Sequence, residues 1–159
     1  MSGYIYVASS WRNRHQPALM HVLRAAGLDA YDFRHPEGAT GFAWREVMPN
    51  YTPGSNEVLP SDYITGMAHP RAREGFDSDM AALRRADTCV LVLPCGRSAH
   101  LELGWAVGAG KRTAVLLDSP DVPMVPELMY GMVDYLAPDV HSLLGWLGVD
   151  DETAWQADL

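Results

Sequence analysis

The sequence predicts a single-domain, doubly wound α/β sheet of about five mainly parallel strands, with a Pro/Gly-rich insertion after the second strand. Three observations carry this. Apolar, β-branched runs alternate with segments of helical periodicity along most of the chain. The runs Thr88–Leu93 and Arg112–Leu117 are apolar almost throughout, as strands covered on both faces are. The alternation breaks only between Arg34 and Gly75.

Each element follows from local chemistry. Tyr4–Ala8 reads as the first strand, ending in Ser9-Ser10. Ala18, Leu19, Val22, Leu23 and Ala26 then recur at helical spacing, with Pro17 in the first turn and Gly27 as the stop. Leu28–Phe33 is the second strand. Beyond it the chain is punctuated by Pro36, Gly38, Gly41, Pro49, Pro53, Gly54, Pro60, Gly66 and Pro70. Only short helical turns at Trp44–Val47 and Ser61–Gly66 are expected there, and His69-Pro70 reads as a turn. So long a stretch without strong elements marks a lid or functional insertion, over residues 35–75.

Regular alternation then resumes. Asp77–Ala86 is a helix with Met80, Leu83 and Ala86 on one face, and Thr88–Leu93 is the third strand. Ser98–Ala109 is a helix ended by Gly110, and Arg112–Leu117 is the fourth strand. Glu127–Met132 forms a short helix, Val133–Ala137 the fifth strand and Asp139–Leu147 the closing helix. Residues 1–148 thus make the α/β domain, flavodoxin- or Rossmann-like in its winding, and residues 149–159 an acidic C-terminal tail.

Composition narrows the function. The 159 residues are 48% hydrophobic and 20% charged, an ordinary globular balance for one domain. Twelve Lys and Arg against twenty Asp and Glu give a net charge of −8, which disfavours nucleic acid and anionic membrane as partners. Cys89 and Cys95 form neither a C-x-x-C pair nor a disulfide framework, so a reducing compartment is expected. The N-terminus lacks a signal-peptide pattern, and no apolar run reaches the roughly 18 residues of a membrane span. The expectation is a soluble, cytoplasmic protein.

Ligands of such sheets sit outside the carboxyl ends of the strands. That nominates Ala8–Arg14, Asp32–Pro36 and Pro94–Ser98. The densest signal runs from Leu93 to Lys111, a strand, a Pro/Gly turn and a helix with Ser98 as expected N-cap. Glu102 stands among Leu101, Leu103, Trp105, Ala106 and Val107. A carboxylate in such company is costly unless paired or at work. It either lies at the mouth of a cleft, pairs with Lys111 or Arg112, or faces water. Gly104 and Gly108 leave a bare helix face, suited to a sheet or to a helix of another subunit.

Arg12, Arg34 and Arg97 fall at predicted strand exits, with hydroxyls from Ser9, Ser10 and Ser98. Together they form a candidate phosphate or substrate-binding set. Trp44, with Phe33, Tyr51 and Phe76, either stacks a base or holds the insertion down. Neither a G-x-x-x-x-G-K-[ST] loop nor a G-x-G-x-x-G turn occurs, so ATP and dinucleotide cofactors are disfavoured and no cofactor is expected. The six histidines lack ligand spacing, so no metal site is expected, and Cys95 shows no base partner in the sequence.

Glu102-Leu-Gly104-Trp-Ala106 followed by Gly110-Lys111 resembles the nucleoside 2-deoxyribosyltransferase-like superfamily, which carries a Glu-x-Gly-x-Ala helix and then Gly-Lys and a strand. Asp79 with Ala86-Asp87, and the opening Ile5-Tyr6-Val7-Ala8-Ser9, are also similar to that family's segments. The resemblance covers residues 77–117 well, the first 34 residues fairly, and the proline-rich middle poorly. It implies cleavage or transfer at the N-glycosidic bond of a nucleoside or nucleoside 5′-monophosphate, with Glu102 as nucleophile. Asp79, with Asp77 second, would help the base leave. Helix capping is the plainer role for both aspartates. Tyr6 would either hold Glu102 by a hydrogen bond or fill the core. Six residues before that glutamate the family's transferases carry aspartate and related nucleotide hydrolases serine; this chain has Gly96, flanked by Arg97 and Ser98. The family also implies a homo-oligomer. The same loop and helix resemble, more weakly, NAD-cleaving domains of the TIR type and lysine-decarboxylase-like phosphoribohydrolases. A third reading is a non-catalytic sensor of a nucleotide-like ligand.

Overall fold

The computed structural model of the protein describes residues 3–52, 57–117 and 119–150. Most of the acidic tail, residues 151–159, lies outside them. The chain forms two compact units, one of Met1–Asp32 with Arg85–Leu159 and one of Phe33–Arg84.

The first unit is a five-stranded, wholly parallel sheet in the order β2-β1-β3-β4-β5. Its strands are β1 (Tyr4–Ala8), β2 (Asp29–Tyr31), β3 (Thr88–Val92), β4 (Arg112–Leu116) and β5 (Tyr135–Ala137). Its helices are α1 (Gln16–Ala25), α4 (Arg97–Gly108) and α5 (Val140–Trp146). Strand order reverses at β1, so the switch point lies between the carboxyl ends of β1 and β3. β2 is shorter than the sequence predicts, because Tyr4, Ile5 and Tyr6 are the residues of β1 that pair with it.

Alternation along the strands divides the core between two faces. Ile5, Val7, Val90, Val92, Ala114 and Leu116 pack with Leu19, Met20 and Leu23 of α1 and with Leu143 and Leu144 of α5. On the opposite face Tyr6 is in register with Cys89, and Cys89 with Thr113. α4 packs there against β1, β3 and β4, through Ala99, Leu103 and Ala106, its buried residues. Arg112, at the start of β4, is tied to the end of α5: its guanidinium donates to the Trp146 carbonyl at 3.0 Å and lies 4.2 Å from that ring's centre.

Asp139 is the N-cap of α5, its carboxylate accepting the Ser142 amide at 2.7 Å. That backbone hydrogen bond holds its carboxyl below the usual range. Because the folded value is the lower one, this stabilisation is complete above the unfolded carboxyl value. It is lost as pH falls from about 4 through the depressed value. Asp139→Ala is expected to cost about 1 kcal/mol at pH 7 in urea unfolding, with a smaller difference at pH 3.

The second unit contains a 3-10 turn at Trp44–Glu46, α2 (Pro60–Met67) and most of α3 (Pro70–Arg85). Arg71 organises it. Its guanidinium donates to the carbonyls of Thr40 at 3.0 Å and Gly41 at 2.9 Å, pairs with Glu46 at 3.2 Å and lies over the Phe42 ring. Trp44 meets Phe42 edge-on at 5.0 Å and Tyr63 at 5.7 Å, so this tryptophan helps to hold the segment down. His69 lies in the turn between α2 and α3, its amide donating to the Gly66 carbonyl at 3.1 Å. Pro70 opens α3, where its missing N–H costs nothing, and the His69 ring accepts the Arg71 amide at 3.0 Å. α3 therefore starts seven residues before Asp77, and neither Asp77 nor Asp79 caps it. Among the described residues no helix is long and apolar enough to cross a membrane.

Candidate active site

Glu102 is half-buried on α4, one turn beyond Ser98 on the same flank of the helix. Its charge reaches two thiols at the sheet. Burial first, and then Glu102, pushes the Cys89 thiol up to about 12, with Lys111 opposing. The Cys95 thiol is likewise pushed up to about 12 by burial and Glu102. Glu102 thus lies on α4 within electrostatic reach of Cys89 in β3 and of Cys95 in the turn after it. Lys111 and Arg112, offered by the sequence as one set of possible partners for it, have other engagements as well. Lys111 donates to the Ala86 carbonyl and lies 5.8 Å from the centre of the Trp105 ring, and Arg112 clamps Trp146.

Tyr6 is 1% exposed, its ring stacked on Tyr31 with centroids 5.3 Å apart. It occupies the face that α4 covers, in register with Cys89. Beyond β1, Ser9 donates its hydroxyl hydrogen to the Val92 carbonyl at 3.0 Å, tying together the two sides of the switch point. Asn13 reinforces the tie. Its amide donates to Ser9 Oγ at 3.0 Å and to the same carbonyl at 3.2 Å, while its oxygen accepts the His15 amide at 2.8 Å. Ser10 Oγ accepts the Arg12 amide at 3.2 Å, and the Arg12 side chain is exposed.

The turn between β3 and α4 follows the other strand of the switch point. Gly96, not Ser98, is the N-cap: it is extended, and no side chain caps the helix. Ser98 lies inside the first turn because the helix starts one residue earlier than the sequence predicts. A Cβ at Gly96 would meet nothing within 4 Å. An open depression of about 520 Å³ is lined by Cys95, Gly96, Arg97, His100 and Leu101. His100 is a partner of Cys95 that the sequence pattern hides, with Nδ1 at 3.8 Å from Sγ. The raised thiol value shows that this neighbour does not make Cys95 a thiolate. Iodoacetamide is therefore expected to label Cys95 slowly at pH 8, where only on the order of 10⁻⁴ of it is ionised. Peptide mass mapping should show faster labelling in Glu102→Gln, which removes one of the two causes.

The first unit therefore holds Glu102, Tyr6, Ser9, Ser10, Arg12, Gly96, Arg97 and Ser98. Asp79 and Arg34 belong to the second. Asp79 is half-buried within α3, and the Arg34 guanidinium lies 5.9 Å from the centre of the Phe33 ring. Gly104 and Gly108 do not touch the sheet; both face outward with open space at their Cβ positions. Asn13, Gln16 and His100 are polar residues that the sequence pattern did not single out. Gln16 is fully buried and donates to Asp32 at 3.0 Å. Asn13 lies within the nominated turn after β1, which was the available clue. Among the described residues, no three His, Cys, Asp or Glu side chains gather as a metal site.

No protein-family model and no curated protein matches the sequence. The fold does match solved structures. The 2-deoxyribosyltransferase of the psychrotolerant bacterium Bacillus psychrosaccharolyticus is similar over 95% of both chains, with a TM-score of 0.59 and 18% identity. The CMP N-glycosidase BcmB of Clostridium botulinum is similar over 91% of this chain and 97% of its own, with a TM-score of 0.50 and 14% identity. The protein thus has the α/β fold of a deoxyribosyltransferase and of a nucleotide N-glycosidase, as the resemblance in its sequence implied.

Proposed function

We propose that this protein is an enzyme that cleaves or transfers the N-glycosidic bond of a nucleoside or nucleoside 5′-monophosphate, with Glu102 as nucleophile. The observation that carries the reading is the half-buried Glu102 carboxylate on α4, whose charge adds to burial in raising the thiols of Cys89 in β3 and of Cys95 in the turn after it. A half-buried carboxylate on the helix that follows a ligand-binding strand end suits the stabilisation of an oxocarbenium-like sugar. The full-length likeness in fold to two enzymes of this chemistry supports it.

In the first step the C1′–N bond breaks, a Glu102 oxygen bonds to C1′, and the base leaves with the bonding pair, taking a proton from Asp79. In the second, water or an acceptor base attacks C1′, the ester bond breaks and Glu102 is regenerated, while the attacker's proton returns to Asp79. Tyr6 orients the carboxylate. Arg12, Arg34 and Arg97, with Ser9, Ser10 and Ser98, bind the sugar and any phosphate, and Gly96 leaves room beside them. Residues 35–75 serve as a lid or as a functional insertion that sets substrate choice. The protein assembles as a homo-oligomer through the Gly104 and Gly108 face of α4, Trp105 and the segment 126–132, where Leu128 is 90% exposed.

Nucleosides, 5′-monophosphates and NAD, each with and without an acceptor base, would be incubated with the protein and the products separated by chromatography. Free base or an exchanged nucleoside is the expected product. Nicotinamide release from NAD alone would favour the NAD-cleaving alternative. A tight ligand recovered intact, with no base from any substrate, would favour the sensor.

A further inference from the structure

We propose that His100 and Tyr130 form a positioning pair that fixes the turn in front of α4 by holding the carbonyl of its glycine N-cap. This deepens the N-glycosidic reading and rests on it for the meaning of the site. The hydrogen-bond directions follow from chemistry. His100 Nδ1 lies 2.8 Å from the Gly96 carbonyl oxygen, which can only accept, so Nδ1 carries the hydrogen. The neutral ring then offers an unprotonated Nε2, and the Tyr130 hydroxyl, 2.8 Å away, donates to it. Burial, with the nearby Cys95 and Glu127, pushes the Tyr130 phenol up and keeps it a donor.

The rings are stacked with centroids 5.8 Å apart and planes 13° apart, and Tyr130 is buried. The pair thus cross-links the first turn of α4 to the 3-10 segment Leu128–Met132. Gly96 has no side chain to fix its own conformation and no neighbour within 4 Å of a Cβ position. Glycine is the residue that loses most freedom on ordering. With its carbonyl held by an imidazole whose other nitrogen is itself held, the turn that carries Gly96, Arg97 and Ser98 toward substrate keeps one shape. His100 is here a positioning residue, since its Nδ1 holds the Gly96 carbonyl, with Cys95 Sγ farther off at 3.8 Å, and its Nε2 is held by Tyr130.

The test combines imidazole ¹⁵N–¹H correlation spectra of the full chain with kinetics on a 5′-monophosphate that it cleaves. Wild type is expected to show His100 as the Nδ1–H tautomer. Tyr130→Phe keeps the ring and removes only the hydroxyl. It is expected to shift the Gly96 and Arg97 amide signals and to raise KM about 5–10-fold, with a smaller fall in kcat. His100→Gln, which keeps a side-chain donor, should recover part of the loss caused by His100→Ala. An Nε2–H tautomer in wild type overturns the proposal. So does a folded Tyr130→Phe protein with unmoved Gly96 and Arg97 signals. The tautomer and amide signals need no turnover, so they decide the pair even if no substrate releases base, an outcome that would count against the functional reading alone.

Discussion

Glu102→Ala is expected to reduce base release by at least roughly 10³-fold, about 4 kcal/mol of transition-state stabilisation, while the protein stays folded. The size follows from the role. A carboxylate that forms and then breaks a bond to C1′ acts in both steps, and nothing in alanine replaces its charge next to a developing oxocarbenium ion. Folding should be spared, because the side chain flanks the buried row of Ala99, Leu103 and Ala106 and is not part of it. Removing the charge also relieves the two thiols it burdens. Glu102→Gln separates charge from volume, and it should be almost as inactive as Glu102→Ala. The check is single-turnover base release with circular dichroism on the same samples. Turnover within tenfold of wild type in both variants would remove Glu102 as nucleophile.

Asn13→Ala is expected to lower stability by about 2–3 kcal/mol and Tm by roughly 5–10 °C. The side chain is 1% exposed and makes three hydrogen bonds, to Ser9, to the Val92 carbonyl and from the His15 amide. Alanine leaves the His15 amide without that acceptor and deletes one of the two donors at Val92. It also leaves a polar hole that water must fill. Because these bonds span the switch point, the loss should loosen the loop that presents Ser10 and Arg12. KM for a cleaved substrate is therefore expected to rise more than kcat falls. Differential scanning calorimetry reads the first effect and steady-state kinetics the second. A Tm within 1 °C of wild type would show that this tie contributes little.

The parallel sheet was legible in the sequence because the signals for it are local. Thr88–Val92 is apolar at nearly every position, and all five of its residues are buried. Tyr4–Ala8 has the bounds in the structure that its sequence pattern predicts. The helix after Pro17 repeats its apolar residues at the helical period, and Leu19, Met20 and Leu23 enter the core. Glu102 stood out by the same logic, as a charge in apolar company.

What needed the tertiary structure is what depends on partners distant in the chain. Pro70 reads as a breaker until α3 is seen to begin on it. His100 reads as one of six scattered histidines until Tyr130, thirty residues away, meets its Nε2. Ser9 reads only as a candidate binding hydroxyl until the carbonyl of Val92, from another strand, accepts its hydrogen. Periodicity and propensity are set by neighbours along the chain, so the sequence alone determined the strands, the helices and the one conspicuous carboxylate. Hydrogen-bond direction, capping and thiol ionisation are set by neighbours in space, and only the folded chain decided them.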